Sequence, residues 1–152
     1  RLVESGIGAF HLVTALMKYI ADRGAKQAEP IGRALTMMFA DRSKPVDIDV
    51  ISDALIAWID SEAEMELVRY ELQIAGARDP EMKALMTEVC SRFSQMCEPI
   101  AMACGSTNPK RDAKVIQGAL DGWMFARLTM TNPDDETMKR GIRVILEAIG
   151  NE

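Results

Sequence analysis

A residue that can cap a helix, followed at once by proline, occurs three times in this chain, at Asp79-Pro80, Asn108-Pro109 and Asn132-Pro133. Each pair marks a helix start. The side-chain oxygen accepts a backbone N–H of the first turn, and proline at the first helical position gives up an N–H that would be unpaired anyway. Acidic residues follow two of them, Glu81 after the first and Asp134, Asp135 and Glu136 after the third, where they suit the positive end of the helix dipole. Between these marks helix formers dominate, no stretch alternates apolar and polar residues over six positions, and aromatic residues are only 5%. The expected fold is all-α, an antiparallel bundle of about six helices.

The apolar spacing predicts helices over about 12–39, 47–59, 62–77, 80–104, 109–131 and 133–149. Pro30 should end or kink the first near Glu29, and Ser61 with Glu64 reads as a capping box dividing the second from the third. Gly105 and Gly150 read as helix stops. The first eleven residues stand apart, because Gly6-Ile7-Gly8-Ala9-Phe10-His11 shows no helical period. A chain of 152 residues, 48% of them hydrophobic, suits one domain whose core needs no disulfide or metal staple.

Charge and composition exclude several functions. With 18 Lys and Arg against 23 Asp and Glu, the chain lacks the broad basic face that phosphate neutralisation requires. No apolar run approaches the ~20 residues of a membrane span. Three cysteines, an odd number, agree with a reducing, cytoplasmic compartment. Arg1-Leu2-Val3-Glu4 has neither an initiator Met nor a basic-then-apolar leader, and suggests a fragment. His11 is the sole histidine, too few for a metal cluster or a nucleophile and base pair. Cys90, Cys97 and Cys104 recur every seventh position, about 10.5 Å apart on one helix face, beyond the ~7 Å reach of a disulfide. They read as small apolar packing, although cysteines at a symmetric interface can oxidise between chains. The acidic residues from Asp47 to Glu71 read as a solvated face. No catalytic residue, metal ligand or cofactor is expected.

Two apolar features remain. Met86, Cys90, Phe93, Cys97, Ile100 and Cys104 alternate spacings of four and three, a seam for another helix, while Met82, Leu85, Val89 and Met96 widen that face. Ile116, Ala119, Leu120, Trp123, Met124 and Leu128 make the next helix apolar almost all round. A two-fold dimer with a four-helix interface would cover the excess; the alternative is a monomer core that buries it all. Eleven methionines, with Phe39, Trp58, Tyr70 and Phe93, are enough to line a cavity in which Arg69, Tyr70 or Gln73 orients a ligand. The alternative is a methionine-filled core.

Arg69-Tyr70-Glu71-Leu72, Ala77-Arg78-Asp79-Pro80-Glu81-Met82, Leu120-Asp121-Gly122-Trp123 and Asn132-Pro133-Asp134-Asp135-Glu136, in this order, resemble the C-terminal regulatory domain of TetR-family transcription regulators. The resemblance covers about residues 12–152. It implies a homodimer, a small apolar or amphipathic effector, and operator DNA bound through an N-terminal helix-turn-helix domain, in a regulator expected to be a repressor. On this footing residues 1–11 are a remnant of that domain, and 12–152 form the effector-binding and dimerisation domain. The expected pocket wall is Met37, Trp58, Met65, Arg69, Tyr70, Met86 and Phe93; the expected dimer face is Cys90, Cys97, Ile116, Trp123 and Arg127, on the helices at 80–104 and 109–131. Alternative readings are a ligand-free helical dimerisation module and a small helical enzyme.

Overall fold

The computed structural model describes residues 2–39, 46–130 and 133–151. Among them six helices form: α1 (Leu2–Phe39), α2 (Ile48–Ser61), α3 (Ala63–Gly76), α4 (Pro80–Ala103), α5 (Pro109–Thr129) and α6 (Asp135–Gly150). No strand occurs among the described residues.

Two of the proline-marked starts form as expected. Asp79 accepts from the amides of Glu81 and Met82, and Asn108 accepts from Arg111, each with proline in the first turn. The third start differs: Asp134 caps α6 by accepting from Thr137, so the helix begins beyond Pro133, and Asn132 lies outside the described residues. The capping box at Ser61 does not form. Ser61 Oγ instead donates back to the Trp58 carbonyl at 2.8 Å, and Glu62 takes the cap position without a side-chain bond. Gly105 closes α4 with φ of 91°, a conformation in which glycine escapes a Cβ penalty. Gly150 does not act as a stop. It is the last residue of α6, and a Cβ there would sit 2.6 Å from the Cys104 carbonyl, so close packing is what excludes a side chain.

The first helix is longer than its apolar pattern suggested. It begins at Leu2, ten residues early, and continues past Pro30 to Phe39. Pro30 leaves the Lys26 carbonyl without its helical N–H partner, and Lys26, like Glu29 and Pro30, is exposed.

Packing falls into two apolar clusters. The larger joins α2, α4, α5 and α6 around Ile51, Ile59, Leu120, Met124, Met138 and Leu146, all essentially inaccessible. The smaller joins α1, α3 and α4 around Met17, Ile20, Met82 and Met86. Each such side chain contributes roughly 1.5–3 kcal/mol when fully buried. The most extensive helix contact is α4 with α5, followed by α1 with α4. The seam along α4 is therefore filled within the chain. Asp60 with Arg127, Asp53 with Lys139 and Asp49 with Arg143 tie α2 to α5 and α6 along the outer edge.

Candidate functional site

Where the two clusters meet, α3 places charge in the interior. Arg69 is 7% exposed and donates to three partners: Nε to Glu66 at 2.6 Å, Nη1 to Gln73 at 3.1 Å and Nη2 to Asp121 at 2.7 Å. Glu66 and Gln73 reach it from three and four positions away on the same helix, the spacing at which side chains share a face. Tyr70 braces the arrangement from the next position. Its ring lies 4.3 Å beneath the guanidinium, its hydroxyl donates to the Asp121 carbonyl at 2.9 Å, and its edge meets Phe125 at 5.1 Å between centroids.

Burial opposes the charge on Arg69, yet the carboxylates of Glu66 and Asp121 outweigh it and hold the guanidinium above its ordinary pKa. Burial pushes the Glu66 carboxyl above the usual carboxylate range, by more than Arg69 pulls it down. The Tyr70 phenol is raised by burial as well. Two carboxylates thus surround one guanidinium. Below them, Glu62 is 3% exposed and pairs with Arg23 of α1 at 3.6 Å. Glu62 and Glu66 therefore correct the expectation of a solvated acidic face: both point inward, while Asp49, Asp53 and Asp60 remain outside.

Beside this network lies a cavity of about 60 Å³. Ile20 and Gly24 of α1, Trp58 of α2, Glu66 and Arg69 of α3, Val89, Cys90, Arg92, Phe93 and Met96 of α4, and Gln117 of α5 line it. Trp58 and Phe93 stack at 5.3 Å, and the Trp58 indole Nε1 is buried without a hydrogen-bond partner among the described residues. An orphaned buried donor costs roughly 1–3 kcal/mol. The volume is below the ~150 Å³ of an apolar cavity that holds benzene, so a ring-sized guest requires the walls to move.

The structure brings three of the expected wall residues, Trp58, Arg69 and Phe93, to this cavity. Tyr70 stands behind it as a brace, Met65 packs in the smaller cluster, and Met86 lines a separate outer groove. Met37 is displaced from the expected wall: on α1 it is 78% exposed and lines neither space. The side chain of Phe39 lies outside the described residues. Among the residues missed were Ile20, Gly24, Glu66 and Gln117, whose only signal was the three-residue spacing of Glu66 and Arg69 and a glycine inside a helix.

The expected dimer face is also redistributed. Cys97 and Ile116 are 2% and 3% exposed in the subunit's own core, leaving almost no surface for a partner. Cys90 lines the cavity, Trp123 packs over Gly141, and Arg127 is bound by Asp60 and Asp135 at 2.7 Å each. All three cysteines are free, and burial pushes the Cys97 thiol up to about 12 and that of Cys104 to about 11. No grouping suited to a metal occurs among the described residues, and no helix among them is long and apolar enough to cross a membrane.

The class so defined is an all-helical bundle with a polar network and a small cavity between two apolar clusters. Residues 47–150, more than half of the chain, match the family described as tetracyclin repressor-like, C-terminal domain, and the chain belongs to that family. Neither a curated protein nor a solved structure matches it.

Proposed function

We infer that the chain is the regulatory domain of a transcription repressor, and that a small apolar or amphipathic effector binds in the cavity. The observation that carries this reading is the place of α1. Ile20 and Gly24 form part of the cavity wall, so a guest that parts the wall acts directly on the helix that, by family resemblance, leads to the DNA-binding head. The effector favours one tilt of α1, and that tilt sets the spacing of two operator-binding helix-turn-helix heads. Residues 1–11 belong to the head in this reading. The experiment is a small-molecule screen by NMR on the Trp58 indole N–H, with Gly24→Leu, which fills the cavity, as control. Compounds that shift this resonance in the parent and not in the variant support the reading; an empty screen overturns it.

The homodimer, in this proposal, forms through α5 and α6 rather than α4. Val115, Gly118, Gly122 and Phe125 fall on one stripe of α5 at alternating spacings of three and four, with Val144 and Ala148 exposed on α6. Val115, Phe125 and Val144 are 52%, 37% and 57% exposed, and nothing lies within 4 Å of a Cβ placed on Gly118 or Gly122. A ligand-free dimerisation module is the second reading, favoured by the cavity's small volume.

A further inference from the structure

The cavity shares a wall with an open groove of about 870 Å³, which runs along α4 between the end of α3 and the start of α5. Cys90 and Gln117 line both spaces. Gln73, on the groove side, donates from Nε2 to Cys90 Sγ at 3.5 Å and accepts from Arg69. The partition is thus two amide side chains and one thiol, held partly by a weak N–H to sulfur bond.

The two sides differ in chemistry. Inside, the walls are the Trp58–Phe93 stack with Ile20, Val89 and Met96, and the charged groups there are already paired, Arg69 with Glu66 and Asp121 and Arg92 with Asp22 and Glu88. Outside, the groove offers the hydroxyls of Ser91 and Ser94 and three lysines, Lys83, Lys110 and Lys114, against the single carboxylate of Glu98. This is a local reversal of charge in a chain whose net charge is −5. Arg69, Arg92, Arg127, Lys139 and Arg143 are in ion pairs, whereas the three groove lysines have none among the described residues. Lys110, Lys114 and Gln117 succeed one another at four and three residues on α5, so both ammonium groups share the helix face of the partition.

We propose that cavity and groove are the two ends of one site for an elongated amphipathic anion, an aliphatic carboxylate whose tail passes the Cys90–Gln117 partition while its head stays among Lys110, Lys114, Ser91 and Ser94. This rests on the effector reading above. It accounts for the small inner volume, since only an alkyl end enters. The reverse orientation is disfavoured, because both guanidinium groups of the cavity wall are already engaged, Arg69 by Glu66 and Asp121 and Arg92 by Asp22 and Glu88, whereas the groove lysines have no carboxylate partner among the described residues.

The test is calorimetric titration of the chain with octanoate, octan-1-ol and octylamine. Octanoate should bind most tightly of the three. The double variant Lys110→Gln/Lys114→Gln should weaken octanoate by about tenfold or more and leave octan-1-ol unchanged, and Gly24→Leu should weaken both. Equal affinity for acid and alcohol without a lysine effect, tightest binding of the amine, or no saturable heat from any of them overturns the two-ended site. The effector reading stands or falls separately, on the Trp58 indole screen.

Discussion

The Arg69 guanidinium donates to the Asp121 carboxylate at 2.7 Å across 52 positions of sequence, and this contact ties α3 to α5 at the edge of the cavity. The Asp121 side chain is 25% exposed and that of Arg69 only 8%, so the cost of losing the bond falls on the buried cation. Asp121→Asn should lower stability by about 1–3 kcal/mol. Asp60→Asn, at a pair whose carboxylate is half exposed, should cost under about 1 kcal/mol. Urea unfolding checks the order, and equal losses would sink the distinction between the two pairs.

The raised Glu66 pKa has a sign that can be measured. Because burial favours the protonated carboxyl, its contribution is fully present in acid and is lost as pH rises through the raised value. Relative to Glu66→Gln, the parent should therefore lose stability on going from the ordinary carboxylate range toward neutrality. Asp112 has the opposite sign: Arg111 and Ser106 hold it below its usual value, so its contribution is present near neutrality and lost as pH falls. Thermal melts of Glu66→Gln and Asp112→Asn across this range should diverge from the parent in opposite directions; parallel curves count against the assignment.

Glycine positions separate open space from contact. A Cβ at Gly24 meets nothing within 4 Å, so Gly24→Ala should stabilise α1 by about 0.5–1 kcal/mol. A Cβ at Gly141 would lie 2.4 Å from Trp123 Cζ2, and Gly141→Ala should cost about 1–3 kcal/mol through overpacking. Chemical denaturation of the two variants decides this by the sign of each shift.

Helices were legible wherever local chemistry fixes them. Asp79 and Asn108 announced their starts because capping involves only neighbouring residues. Residues 2–11 gave no such signal, since their helix continues one whose apolar period begins later. The cavity was half legible. Trp58, Arg69 and Phe93 stood out by residue type, but Glu66 and Gln117 matter because α3 and α5 converge, and that convergence is set by packing. The seam along α4 was visible as a pattern, yet a heptad looks the same whether its partner is a second chain or the chain's own α5. Cys97 and Ile116, expected at a dimer face on that pattern, lie in the chain's own core.

The free stripe on α5 makes the dimer testable without disturbing the core. An exposed glycine inside a helix costs roughly 0.5–1 kcal/mol relative to alanine, and α5 carries two, four residues apart, with open space above each. If a partner backbone approaches there, two added methyl groups hold it away, although each favours the isolated helix. Gly118→Ala/Gly122→Ala should therefore raise the melting temperature of dilute, monomeric protein and weaken dimerisation by about tenfold or more. Sedimentation equilibrium reads the second effect and circular dichroism the first. A parent that stays monomeric at all concentrations, or a double variant that dimerises as tightly as the parent, rules out close approach at this face. The gain in helix stability is expected in either case, which keeps a folding defect from being mistaken for a lost interface.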